Sequence, residues 1–237
     1  MKNCGVLCFD CDGVVVNNTI LGFERVNRFL RYVGLAPIST EFLRMHWGMK
    51  SNDLFDIICK TQGASPKQII AYKKKEKEET MGGYVDPRFV KSLLVAKDIG
   101  FLVAMITSRS RYDLEKYAGE INLDLNIFSH VQTIDNYHEH KPSGKVFNPL
   151  FRHALQTAGY KPENVIYFGD TVQYDYGAVK NAQANGAMVK FVGVCSGIHT
   201  FDEFVAAGLN EKQIIPSHDV MPFFLDMLIR GHKISQF

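Results

Sequence analysis

The stretch Val6-Leu7-Cys8-Phe9-Asp10-Cys11-Asp12-Gly13-Val14-Val15-Val16 decides the reading of this chain. An apolar run reads as a buried β-strand and ends in two carboxylates two residues apart. Gly13 then breaks the run and frees the backbone to turn. A carboxylate is costly in an apolar core, so a pair at a strand tip points into a cleft and serves a ligand. Such a pair suits metal binding, nucleophilic attack, or both. By itself, Asp-x-Asp-Gly also suits a turn with two solvated acids.

Further along, three more segments carry chemistry in order. The apolar run 101–106 ends in Thr107-Ser108-Arg109. Lys141-Pro142 follows a polar loop. The run 164–168 leads into Gly169-Asp170-Thr171 and reaches Asp175. From Pro87 onward helix and strand alternate: strands at 101–106, 130–133, 164–168, 187–192 and 213–215. Helices fall at 88–98, 110–119, 144–159, 174–185, 200–207 and 220–230. Alternation of this kind predicts an α/β fold, a parallel sheet with helices on both faces. Ligands in such sheets sit beyond the carboxyl ends of the strands, where each of these segments falls.

Residues 1–16 supply the first strand, and 17–85 read as all helical. Leu21, Phe23, Val26, Phe29, Leu30 and Val33 mark one helix, closed by Gly34. Others span 40–47, 51–62 and 65–81, the last with Ser65 as N-cap before Pro66. Gly82-Gly83 and Asp86-Pro87 close the block. The expected domains are therefore a Rossmann-like core from 1–16 and 86–237, and a helical insertion at 17–85.

Composition limits the alternatives. The chain has 237 residues, 46% of them hydrophobic, enough for one large core with a smaller insertion. A net charge of +2 gives no basic field for nucleic acid. The run Lys73-Lys74-Lys75-Glu76-Lys77-Glu78-Glu79 mixes signs at helical spacing, as on a solvated face. No apolar stretch approaches the ~20 residues of a membrane span. Five scattered cysteines and no signal peptide point to free thiols in the cytoplasm. Cys8 and Cys11 have the spacing of half a redox or zinc motif, but no second pair matches it. They read as small side chains packing a strand.

The four ordered segments around Asp10-Asp12, Thr107-Ser108, Lys141 and Asp170-Asp175 resemble the haloacid dehalogenase-like superfamily of phosphotransferases. The resemblance covers nearly the whole chain. A helical insertion directly after the first motif is similar to the C1 cap of phosphoglycolate phosphatase and β-phosphoglucomutase relatives. The segment 193–200 also looks like the tail of phosphoglycolate phosphatase-type members. Val14 stands where these relatives often have Thr, and Asn17-Asn18 where Asp-Ser is common. These departures touch the cap hinge rather than the chemistry.

The resemblance implies Asp10 as nucleophile and Asp12 as general acid/base. It implies Mg²⁺ held by Asp10, the backbone carbonyl of Asp12, and Asp170. Asp175 would orient Lys141 or a bound water; its plainer reading is a helix N-cap. Thr107, Ser108 and Lys141 would bind the phosphoryl group. Arg109 adds a phosphate contact or faces solvent. Arg44, His46, Trp47, Lys50 and Asn52 flank an inter-helix turn and are the candidate cap residues for substrate selection, with Trp47 equally suited to cap core. His138-Glu139-His140 lacks a third metal partner, and Ser143-Gly144-Lys145 lacks the rest of a P-loop.

The expected activity is Mg²⁺-dependent hydrolysis of a small organic phosphate monoester, phosphoglycolate or a sugar phosphate, through an aspartyl-phosphate. The expected partner is a small phosphorylated metabolite, with neither nucleic acid nor membrane, and a monomeric or homodimeric state. Asp12 argues against a metal-free dehalogenase and against a phosphonatase, whose Schiff-base lysine Lys50 would have to supply. A β-phosphoglucomutase-like enzyme keeps Asp12 but often carries Glu-Asp in place of Gly169-Asp170. A non-catalytic binding module on this fold would be expected to lose one of the four charged motif residues, and none is lost.

Overall fold

The structure, a computed structural model, describes residues 4–49, 51–79 and 81–230, and of residues 51 and 52 the backbone alone. Six parallel strands form one sheet: β1 (Val6–Phe9), β2 (Leu102–Ile106), β3 (His130–Gln132), β4 (Val165–Gly169), β5 (Lys190–Val194) and β6 (Ile214–Ile215). Their spatial order is β3-β2-β1-β4-β5-β6, so the order reverses at β1. A crevice opens at such a switch point, beyond the carboxyl ends of β1 and β4.

Every residue of β1 is buried, as a strand covered on both faces requires. Leu7 and Phe9 face a core built with α5 (Pro87–Asp98), α6 (Arg111–Glu120) and α10 (Met221–Ile229). Val6 and Cys8 face the opposite core, built with α7 (Asn148–Ala158), α8 (Gly177–Ala184) and α9 (Phe201–Ala206). Cys11 joins the first core and Cys8 the second, so the two thiols pack on opposite sides of the sheet.

The remaining helices are α1 (Thr19–Tyr32), α2 (Thr40–His46), α3 (Ser51–Gln62) and α4 (Pro66–Glu78). They gather an apolar cluster of their own, in which Phe23, Phe29, Leu30, Leu43, Phe55 and Tyr72 are buried. Local chemistry starts them: Ser65 and Gln68 form a capping box ahead of Pro66, and the Asp86 side chain caps α5 ahead of Pro87.

Among the boundaries that differ from the sequence expectation, three bear on the strand ends and the turn after β4. The first strand ends at Phe9 rather than continuing through Val16. Gly13, at φ +76°, reverses the chain, and Gly13 N donates to Val16 O at 2.8 Å, closing a loop. The fifth strand spans 190–194 instead of 187–192, because Ala187 N still bonds Ala182 O in the turn leaving α8. The helix expected from 174 begins as a single π-turn over Val172–Tyr176.

Candidate active site

Strand register places the acids together. Phe9 of β1 pairs with Phe168 of β4, and Asp10 N donates to Phe168 O at 2.9 Å. Asp10 and Asp170 therefore leave adjacent strands almost side by side. Asp175 returns from the π-turn, an element frequent at functional sites. One ligand oxygen each from Asp10, Asp170 and Asp175 lies within 4.8 Å of the others. Two glycines make this close approach possible. A Cβ on Gly13 would meet Asp170 Oδ2 at 2.0 Å, and one on Gly169 would meet Asp175 Cβ at 2.3 Å.

Lys141 joins the group. Its Nζ donates to Asp10 Oδ1 at 2.9 Å, to Asp175 Oδ1 at 2.7 Å and to the Tyr167 hydroxyl at 3.0 Å. Tyr167 in turn donates to Asp175 Oδ1 at 2.8 Å, and Thr171 donates to Asp175 Oδ2 through both Oγ1 and N. Both oxygens of Asp175 are thus engaged by hydrogen bonds that hold it against Lys141. The Asp175 amide donates to Thr171 Oγ1 at 3.0 Å. Sequence reading missed Tyr167; a phenol inside the apolar run of β4 was the available signal.

Burial dominates the electrostatics. It raises the carboxyl pKa of Asp10, which Lys141 only partly offsets. It raises that of Asp170 further, with the charges of Asp175 and Asp10 adding. Burial would also raise Asp175, but the Lys141 ammonium holds it below the usual carboxylate range. For Lys141, burial would lower the pKa, and the two carboxylates raise it instead. Three buried acids facing a single lysine leave uncompensated negative charge. Their oxygen-only donor set fits a hard divalent cation such as Mg²⁺.

Asp12 turns away from this group. Arg109 grips it with two parallel bonds, Nε to Oδ2 at 2.8 Å and Nη2 to Oδ1 at 2.6 Å. Asn18 Nδ2 adds a bond to Oδ1 at 2.5 Å. Burial would raise the Asp12 pKa, but the guanidinium outweighs it and the carboxyl ends below its ordinary value. Arg109 stacks over the Tyr117 ring at 4.2 Å, and the Tyr117 hydroxyl meets Asn18 Nδ2 and Gly82 O. Arg109 does not simply face solvent: its partner is Asp12, a pairing across 97 residues that spacing does not reveal.

Thr107 is buried at the tip of β2, its amide bonded to Gln132 O at 3.0 Å and its Oγ1 accepting from Arg109 N at 3.2 Å. Ser108 Oγ donates to Gly48 O at 3.1 Å, across to the turn after α2. A narrow crevice runs past Thr107, Ser108 and Lys141. A wider groove near Lys190, Phe191 and Leu209 contains none of the expected site residues.

The candidate cap residues divide. Arg44 is committed to the loop after β5, donating to Ile198 O and pairing with Glu203. His46 Nδ1 lies 2.8 Å from Phe42 O, and its ring stacks on Phe42. Trp47 packs edge-on against Phe23 at 4.8 Å and lies over Gly22, inside the helical cluster. Lys50 and the side chain of Asn52 lie outside the described residues. Ser196 also went unnoticed in the sequence: its Oγ donates to Asp170 Oδ2 at 2.8 Å.

Solved structures share this architecture. A haloacid dehalogenase family hydrolase from Deinococcus radiodurans, with phosphate and sodium bound, matches with TM-score 0.70 at 16% identity, over 94% of this chain and 96% of its own. A predicted phosphoglycolate phosphatase from Haemophilus somnus matches with TM-score 0.65 at 19% identity, over 94% and 99%. A candidate β-phosphoglucomutase from Thermotoga maritima matches with TM-score 0.66 at 19% identity, over the same shares. At such identities the likeness is one of fold. Comparison with curated proteins gave no match. The family model for haloacid dehalogenase-like hydrolases matches residues 7–189, from the first residues of β1 to the approach to β5. On the strength of that match, and of the sheet order that carries it, this chain belongs to the haloacid dehalogenase-like hydrolase family.

Proposed function

We propose that this hydrolase is a Mg²⁺-dependent phosphatase acting on a small organic phosphate monoester, with a phosphoglycolate-like acid the leading candidate. One observation carries the reading. Asp10 stands at the switch point of the sheet with Lys141 at 2.9 Å and with an oxygen of Asp170 within 4.8 Å of one of its own. A carboxylate so placed is desolvated and paired with one positive charge, a setting suited to attack on phosphorus.

Asp10 attacks phosphorus through a carboxylate oxygen and forms an aspartyl-phosphate, and the alcohol of the ester departs. Asp12 would protonate the departing oxygen and later take a proton from the attacking water, roles that require its carboxyl to leave the Arg109 pair seen in this structure and gain a proton when substrate binds. Lys141 neutralises charge on the phosphoryl oxygens, while Asp175 and Tyr167 keep its ammonium in place. Thr107 offers its hydroxyl at the same strand ends. Mg²⁺, held by Asp10 and Asp170, would supply charge neutralisation for the phosphoryl group. Residues 17–85 serve as the cap that selects the substrate and excludes water.

Hydrolysis is favoured over mutase chemistry by position 169. A side chain there would meet Asp175 Cβ at 2.3 Å, so the glutamate frequent in the mutase relatives has no room. The test is an assay over a panel of small phosphate esters with Mg²⁺ and with chelator. Phosphate release that needs Mg²⁺ and is abolished by Asp10→Asn supports the reading. Release undiminished by excess chelator contradicts it.

A further inference from the structure

The loop between β5 and α9, residues 195–200, touches both halves of the molecule. On the sheet side, Ser196 is buried and its Oγ donates to Asp170 Oδ2 at 2.8 Å. His199 accepts at Nδ1 from Val172 N at 3.4 Å, so the loop also holds the turn that follows Asp170. On the helical side, Ile198 is fully buried among the apolar residues of α1–α4. Arg44 of α2 donates to Ile198 O, and its guanidinium pairs with Glu203. Glu203 is itself the capping-box partner of Thr200, the last residue of the loop. Thr19, the first residue of α1, brings Oγ1 to 3.4 Å from Ser196 Oγ.

One short loop thus has its second residue on an acid of the site and its fourth sealed into the helical cluster. A loop serving only to start α9 requires neither contact; the Thr200 capping box does that alone. Ser196 engages one oxygen of Asp170 and so fixes the plane of the carboxylate and the direction of the other oxygen. Removing groups that orient ligands in this way typically costs 10–100-fold in metal affinity.

We propose that Ser196 is a positioning residue for Asp170, and that loop 195–200 couples cation binding at the acids to the seating of helices α1–α4 on the sheet. The proposal rests on the reading of Asp170 as a cation ligand. Helices that sit correctly hold Ile198 and the Arg44 contacts, which hold Ser196, which aims Asp170. When the helices lift, the loop loses its anchor and the carboxylate its fixed direction.

The test is Mn²⁺ binding to the whole protein, followed by electron paramagnetic resonance with Mg²⁺ competition, without substrate. Ser196→Ala is expected to weaken Mn²⁺ binding by about 10–100-fold. Ser196→Thr, which keeps the hydroxyl, retains most of the affinity. Arg44→Met contributes no atom to the acid group, yet weakens binding several-fold while the unfolding midpoint without metal stays near that of the parent. Unchanged affinity in Ser196→Ala or in Arg44→Met overturns the proposal, as does an equal loss in the Ala and Thr variants at position 196. An Asp170→Asn control separates the two layers. If the parent binds Mn²⁺ no better than Asp170→Asn, the cation reading itself is wrong and the coupling falls with it. If Asp170→Asn alone loses affinity, the cation reading stands and only the coupling is refuted.

Discussion

Lys141 carries more of the site than any other side chain. It lies between Asp10 and Asp175 with all three groups buried. Replacing it with methionine keeps the volume and removes the charge, leaving buried acids without their partner. Breaking such a pair costs about 3–5 kcal/mol, so Lys141→Met should lower urea stability by that order. Turnover should fall by at least about 100-fold, the loss typical of removing one aimed charge from a transition state. Unchanged stability with lost turnover would mean the acids do not depend on the lysine. That Asp10, Lys141 and Asp170 come together was legible in the sequence, because each ends a strand or leaves a loop beside one. Arg109 and Ser196 were not. Their partners are set by how loops 97 and 26 residues apart meet, and no local pattern records that.

Among the elements, β3 is one of the sheet's two edge strands and carries a contact between two histidines. His130 of β3 packs against His153 of α7 with ring centroids 4.9 Å apart, and neither Nε2 has a hydrogen-bond partner. Burial, then the nearby His153 and Arg111, push the His130 pKa from 6.5 down to about 4. The sign follows from linkage. Between those values the unfolded chain binds the proton and the folded one does not, so stability falls as pH drops from 6.5 toward 4. His130→Gln should flatten this part of the profile, measured by urea unfolding at several pH values. A parent and variant with parallel profiles would show that His130 titrates normally. Element boundaries were the least legible part of the fold. The first strand stops early because Gly13 turns the chain. The fifth starts late because the exit turn of α8 holds 185–189 with local hydrogen bonds. Gly13 marks the first of these turns in the sequence; the second is backbone bonding that a hydrophobic run does not encode.

At the scale of the molecule, the parallel sheet and its two helical layers were legible from alternation, and the helical segment from its periodicity. The use of the helical side chains was not, because apolar spacing shows that a residue is buried without showing what it meets. Trp47 illustrates this. Its ring lies against Phe23 and Gly22, which makes it part of the helical cluster. Trp47→Ala should lower stability by about 2–4 kcal/mol, with Trp47→Phe recovering much of it. Retained stability with a raised KM would place Trp47 on the substrate instead.

A carboxylate oxygen of Asp10 is the proposed acceptor of phosphorus, and Asp12 makes that step observable. As general base, Asp12 should be worth about 10²–10⁴ in hydrolysing the phosphoenzyme. An aryl phosphate, whose phenolate leaves without help, should still phosphorylate Asp12→Ala in the presence of Mg²⁺. The decisive measurement is peptide mass spectrometry of that variant after rapid quenching at low pH. One added phosphoryl group is expected on the peptide holding Asp10, absent in excess chelator and absent when Asp10→Asn is added. Phosphate release with no label on Asp10, or a label on another residue, would contradict it.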